Sequence, residues 1–74
     1  MLERIIEIIA IHTKINSSLI TEDTNILDFD IDSLGILKII MDVETSFGVR
    51  FDDEEIVEIR TPKDIENNVL KKFE

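Results

Sequence analysis

The sequence predicts an all-α fold: a four-helix bundle with a short third helix and a long loop between helices 1 and 2. Three observations carry that expectation. Apolar residues recur at helical spacing in separate segments. Start and stop signals bracket the second and fourth of these segments. No segment shows strand alternation over a useful length. At 74 residues the chain is expected to form one domain, residues 1–74.

The first helix is marked by Leu2, Ile5, Ile6 and Ile9, with Ile8 and Ile11 widening the stripe. It is expected to run from about residue 2 to Lys14, where Asn16-Ser17-Ser18 breaks the pattern. Residues 15–31 are mixed. Thr21-Glu22-Asp23-Thr24-Asn25 is polar and turn-prone, while Leu19, Ile20, Ile26, Leu27 and Phe29 suggest a loop that packs down onto the helices. Loops this long in compact domains are often functional.

Asp32 is a good N-cap for the second helix, and Gly48 after Phe47 suits its stop. One stripe is Ile36, Ile39, Ile40, Val43 and Phe47; a second is Leu34, Leu37 and Met41. A helix apolar on two sides has two things to contact. Asp52-Asp53-Glu54-Glu55 places acids at the start of a short third helix carrying Ile56, Val57 and Ile59. Thr61 caps the fourth, with Pro62 at its first position. Ile65, Val69, Leu70 and Phe73 are its expected buried face, and Lys71 and Lys72 occupy the last turn.

Composition narrows the function. The chain has no cysteine, so no disulfide or thiolate metal site is available. Hydrophobic residues make up 43% of it, enough for a helical core. The N-terminus does not read as a signal peptide, and the longest apolar run is far short of a membrane span. A cytoplasmic monomer without membrane insertion is the expectation. Of the net charge of −9, residues 28–58 hold −8 (ten acids against Lys38 and Arg50). That face disfavours nucleic acid and suits basic partners.

Asp28, Asp30 and Asp32 alternate like the opening of a calcium loop, but Ser33 and Ile39 stand where that loop needs glycine and glutamate. No Gly-x-Ser-x-Gly elbow surrounds Ser33. The single histidine, His12, reads as an exposed helix residue with no orienting partner. With two glycines there is no phosphate-binding loop, and the chain is a poor enzyme candidate. Ser33 does have position. It starts a helix after an acidic cap, at an end that favours a negative group.

Asp32-Ser33-Leu34 resembles the modification motif of the acyl carrier protein family, which includes aminoacyl and peptidyl carriers. The likeness extends through Gly35-Ile36-Leu37-Lys38-Ile39-Ile40-Met41-Asp42-Val43-Glu44 to Phe47-Gly48-Val49. It continues at Phe51, the acidic cluster Asp52-Asp53-Glu54-Glu55, Ile59 and Thr61. The resemblance implies a four-helix bundle and a 4'-phosphopantetheine arm on Ser33. A phosphopantetheinyl transferase would attach the arm from coenzyme A, with Asp32 helping to present the serine. Acyl or aminoacyl groups would ride on the arm's thiol as thioesters, delivered by a chain that is not itself an enzyme. Leu34, Leu37 and Met41, flanked by Asp42 and Glu44, would dock the basic patches of loading enzymes and downstream synthases. Ile36, Ile39, Val43 and Phe47, with Ile59 and Ile65, are expected to form ordinary core rather than a chamber for the acyl chain.

The chain departs from the fatty acid pattern. Phe29-Asp30-Ile31 stands where Leu-Gly is usual, Gly35 where an acid is usual, and Lys38 where glutamate is usual. The Ser-Leu-Gly continuation is more similar to D-alanyl, aminoacyl and peptidyl carriers. Fatty acid, polyketide, nonribosomal peptide and D-alanyl transfer pathways all remain open. The competing reading is an unmodified acidic helical adaptor for a basic protein.

Overall fold

In the computed structural model, which describes residues 1–73, the elements follow the expected order. They are α1 (Leu2–Thr13), α2 (Ser33–Phe47), α3 (Asp53–Glu58) and α4 (Pro62–Lys71). Two single-turn 3₁₀ helices, Ser17–Leu19 and Ile26–Phe29, lie in the long loop. No strand occurs among the described residues, and no helix there is long and apolar enough to cross a membrane.

Helix α1 packs against both α2 and α4. Ile5, Ile8 and Ile9 are completely buried in a cluster with Ile39, Ile40 and Val43 of α2 and Ile65 and Val69 of α4. Ile11, expected to widen the stripe, is exposed instead. At 100° per residue it sits roughly 110° round from the stripe's centre. His12 falls back on that centre, and its Nε2 lies 3.0 Å from Asp42 Oδ2 on α2. The expectation that His12 lacks a partner is therefore corrected. Helix α1 ends one residue early, because Lys14 turns left-handed (φ 62°) and donates its N–H to the Ala10 carbonyl.

The loop is built, not slack. Asn16 and Asn25 accept from Ser18 N–H and Leu27 N–H and so start the two 3₁₀ turns. Ile20 and Ile26 are buried, with Ile15, Phe29 and Ile31 leaning on the core. Ile26 N–H donates to the Arg60 carbonyl (2.8 Å), and Lys63 N–H donates to the Glu22 carbonyl (3.0 Å). These two bonds fasten the loop to the link between α3 and α4 and to the first turn of α4.

Helix α2 starts and stops as its sequence signals. Asp32 Oδ1 accepts Gly35 N–H at 2.8 Å, and Gly48 closes the helix at φ 67°. Helix α3 is different: none of its own residues is buried. The buried Phe51 and Ile59 on either side hold it down, while Ile56 leans on the core. Lys72 adds a clamp. Its Nζ donates to both Glu55 oxygens (2.8 and 2.9 Å) and sits 5.1 Å from the centre of the Phe51 ring.

Two residues assigned to the buried face of α4 are corrected. Leu70 and Phe73 are exposed. The burying positions are Pro62, Ile65 and Val69, and the next position on that face is Lys72, whose ammonium lies over the Phe51 ring. Leu70 lies one residue off the stripe, and Phe73 comes after the helix has ended.

Domains this small have little reserve, roughly 4–11 kcal/mol at the usual stability per residue. Truncating a buried isoleucine costs about 2–5 kcal/mol. Ile39→Ala is therefore expected to remove a large part of the urea-unfolding stability, whereas Leu37→Ala, on the exposed side of the same helix, should change it by less than about 0.5 kcal/mol.

The Lys72 clamp is pH-dependent. The hydrogen bond from Lys72, helped by that from the Asp52 N–H, lowers the Glu55 pKa below its ordinary value. A carboxylate depressed in the folded state stabilises fully above its unfolded pKa, and the contribution is lost as pH falls through the folded value. Glu55→Gln should thus lower the thermal midpoint at neutral pH. The gap to the unsubstituted protein should close in acid, below the ordinary glutamate range.

Candidate functional site

Capping by Asp32 sets the geometry of the first turn of α2. Its side chain holds Gly35 N–H and its carbonyl accepts Ile36 N–H. Ser33 follows in an exposed position, and its Oγ has no hydrogen-bond partner among the described residues. No general base approaches it, since His12 is engaged with Asp42. No group of three or more potential ligands gathers to hold a metal among the described residues.

Beside Ser33 opens a cleft of about 280 Å³ lined by Leu27, Ser33, Ile36, Ile56, Val57, Ile59 and Arg60. It brings together the loop, α2, α3 and the link to α4. Its walls are aliphatic, with one hydroxyl and one guanidinium. Ile36 and Ile59, expected as ordinary core, border this open space. Ile59 is nonetheless buried core, as Ile39, Val43 and Ile65 are, whereas Ile36 and Phe47 are half-buried. Leu27, Ile56, Val57 and Arg60 were not legible as site residues. Leu27 lies in the mixed loop before Ser33, and Ile56, Val57 and Arg60 come from one stretch well downstream, so no local pattern links them to Ser33.

Leu34, Leu37 and Met41 are all exposed along one side of α2, and Val57 of α3 is 68% exposed. Lys38 lies on the same side of α2 and forms no ion pair among the described residues. Asp42 and Glu44 flank the strip but have internal partners. Asp42 meets His12, and Glu44 Oε2 accepts Phe51 N–H at 2.8 Å.

Gly35 has a packing explanation. A Cβ there would collide with the Cγ1 of Ile31 and come within 2.9 Å of its Cδ1. Ile31 belongs to the departure Phe29-Asp30-Ile31, so the two departures are one. A branched residue before the cap leaves room only for glycine in the first turn.

Known proteins match this arrangement. The family model described as "Phosphopantetheine attachment site" covers residues 3–69. The chain belongs to the acyl carrier protein family. A protein named acyl carrier protein from Syntrophobacter fumaroxidans is 35% identical over 69 residues, covering 92% of this chain and 85% of that one. Another of that name, from Thermotoga maritima, is 35% identical over 60 residues (80% and 74%). One from Lactobacillus acidophilus is 34% identical over 62 residues (82% and 78%). The chain is thus an acyl carrier with a phosphopantetheine attachment site, and carriers of this family are not enzymes.

Gly35→Ala tests the packing argument. Alanine gains about 1 kcal/mol of helix propensity over glycine. The collision with Ile31 should outweigh that gain and lower the urea midpoint. In an Ile31→Ala background the same substitution should be stabilising.

Proposed function

We propose that Ser33 carries the phosphopantetheine arm and that the domain delivers acyl groups to successive enzymes as thioesters on it. The observation that favours Ser33 is its position at the mouth of the aliphatic cleft. The other serines are less suited. Ser46 donates to Asp42, and Ser17 and Ser18 border a shallow depression shared with the carboxylates of Glu3 and Glu7, which oppose a phosphodiester.

The residues around Ser33 fit the arm. The exposed hydroxyl is the bonding atom, Asp32 fixes the turn that presents it, and the cleft walls accept apolar atoms. When bound, the group supplies the thiol that forms the thioester. With no base at Ser33, the hydroxyl proton must be taken by the transferase that performs the attachment. This fits a carrier acted upon by its partners.

The docking surface we assign to those partners, the phosphopantetheinyl transferase and the acyl-handling enzymes, is Leu34, Leu37 and Met41, flanked by Asp42 and Glu44. Exposed charge contacts are individually weak and screened by salt, which suits brief visits to several enzymes. We assign the carrier to the cytoplasm, as a monomer. Gly35 carries no weight in choosing a pathway, because Ile31 accounts for it. Lys38 does, because it adds a cation to a docking face that partners otherwise meet as acidic.

The test is direct. Incubation with coenzyme A, magnesium and a broad-specificity phosphopantetheinyl transferase should add the mass of one arm, and Ser33→Ala should abolish the gain. A gain that persists in Ser33→Ala, or no gain in the unsubstituted protein, overturns the assignment and leaves the unmodified adaptor.

A further inference from the structure

Among the described residues, Arg60 is the only charged one lining the Ser33 cleft. Its main chain is held on both sides: its N–H donates to Asp64 Oδ2 (2.9 Å), and its carbonyl accepts Ile26 N–H (2.8 Å). The guanidinium is held too. Nη1 donates to the carbonyls of Val57 (2.8 Å) and Ile59 (2.9 Å) at the end of α3. Those two bonds use the hydrogens of one nitrogen. The Nε–H and both Nη2–H groups have no protein acceptor among the described residues. A guanidinium with one nitrogen anchored and a planar edge free is pre-shaped to take an oxyanion.

From this geometry we infer that Arg60 binds the phosphodiester of the arm carried on Ser33, its guanidinium bridging the cleft mouth from α3 to the start of α2. The inference rests on the Ser33 assignment and names the residue that receives the arm's charge. That charge needs an acceptor. A phosphodiester on Ser33 adds a negative group beside Asp28, Asp30 and Asp32, in the stretch that already holds most of the chain's negative charge. Ser33 and the three aspartates are exposed or half-exposed, so water screens part of this repulsion, and a fixed cation beside the serine offsets more of it. Lys38 and Arg50 are not in the cleft lining; Arg60 is. The phosphorus is bonded directly to Ser33 Oγ, whereas the thiol and its cargo lie many bonds further along. Of the groups on a loaded carrier, the phosphodiester is therefore the anion that stays near the cleft mouth.

A bond of this kind also changes what α3 does. It has no buried residue of its own, and Arg60 already holds its last carbonyls. Arm attachment would then tighten α3 against α2 through one side chain.

The test uses native protein before and after attachment, with intact mass recorded on the same sample. The guanidinium resonances of Arg60 are followed by nitrogen-15 NMR, with Arg4 and Arg50 as internal controls. The expected result is a shift and slower water exchange at the Arg60 Nε–H on addition of the bare arm, with Arg4 unaffected. In Arg60→Gln the phosphorus-31 resonance of the arm should move, and the rise in thermal midpoint from apo to holo should shrink by about half or more. Arg60→Lys, which keeps the charge but loses the fork, should fall between. A silent Arg60 in a sample whose mass shows the arm overturns the inference while leaving the Ser33 assignment intact. Absence of the mass gain overturns both. A shift that appears only once a dicarboxylic acyl group is loaded overturns it in favour of the cargo carboxylate. Equal holo increments in all three proteins make Arg60 only a clamp on α3.

Discussion

Ile5, Ile8 and Ile9 on α1 share one enclosed cluster with Ile39, Ile40 and Val43 on α2 and Ile65 and Val69 on α4, and that cluster places everything else. A small domain without disulfides has few other means of holding together. Isoleucine suits the task. Its χ1 is stiff, so burying it loses modest rotamer freedom and gives a well-defined core. Because α1 lies against both partners, α2 is fixed along its inner side and free along its outer side. The exposed strip of Leu34, Leu37 and Met41 is a consequence of that geometry.

The same core leaves α3 out. Its anchors are Phe51 before it, Ile59 after it and the Lys72 clamp on Glu55. Helices held at their ends rather than along a face can move at low cost, since few buried contacts must break. The cleft beside Ser33 lies along this loosely held element. The open aliphatic space next to Ser33 and its lightly anchored wall thus have one cause. The core was filled from α1, α2 and α4, and α3 was left to close the remaining side.

Charge is distributed to match. The acidic stretch surrounds the start of α2 and covers α3, yet the cleft itself is lined by aliphatic groups and Arg60. An acidic exterior draws basic partners over distances of about a Debye length. Inside the cleft, a single fixed guanidinium meets the one anion that attachment brings. Among the described residues no base is hydrogen-bonded to Ser33, which fits the proposed attachment by a separate transferase.

The sequence by itself determined the helices and their ends. Asp32 and Gly48, and Thr61 with Pro62, are local signals whose physics involves only neighbouring backbone groups, so both ends of α2 and the start of α4 were legible to the residue. The proposed attachment serine, Ser33, was named from the motif at that capped helix start. Reading failed where the answer depended on which face a neighbour covers. Ile11, Leu70 and Phe73 are as apolar as the residues beside them, and only packing against α1 and the loop decided that they stay outside. Asp42 and Glu44 read as free surface charges, but the fold gave each an internal partner. Gly35 looked like a functional departure until Ile31 was seen to occupy the space a side chain would need. The cleft and Arg60 were invisible for the strongest reason. They exist only where the stretch from Leu27 to Ile36 meets that from Ile56 to Arg60, and contacts between distant segments are set by tertiary structure rather than by any local pattern.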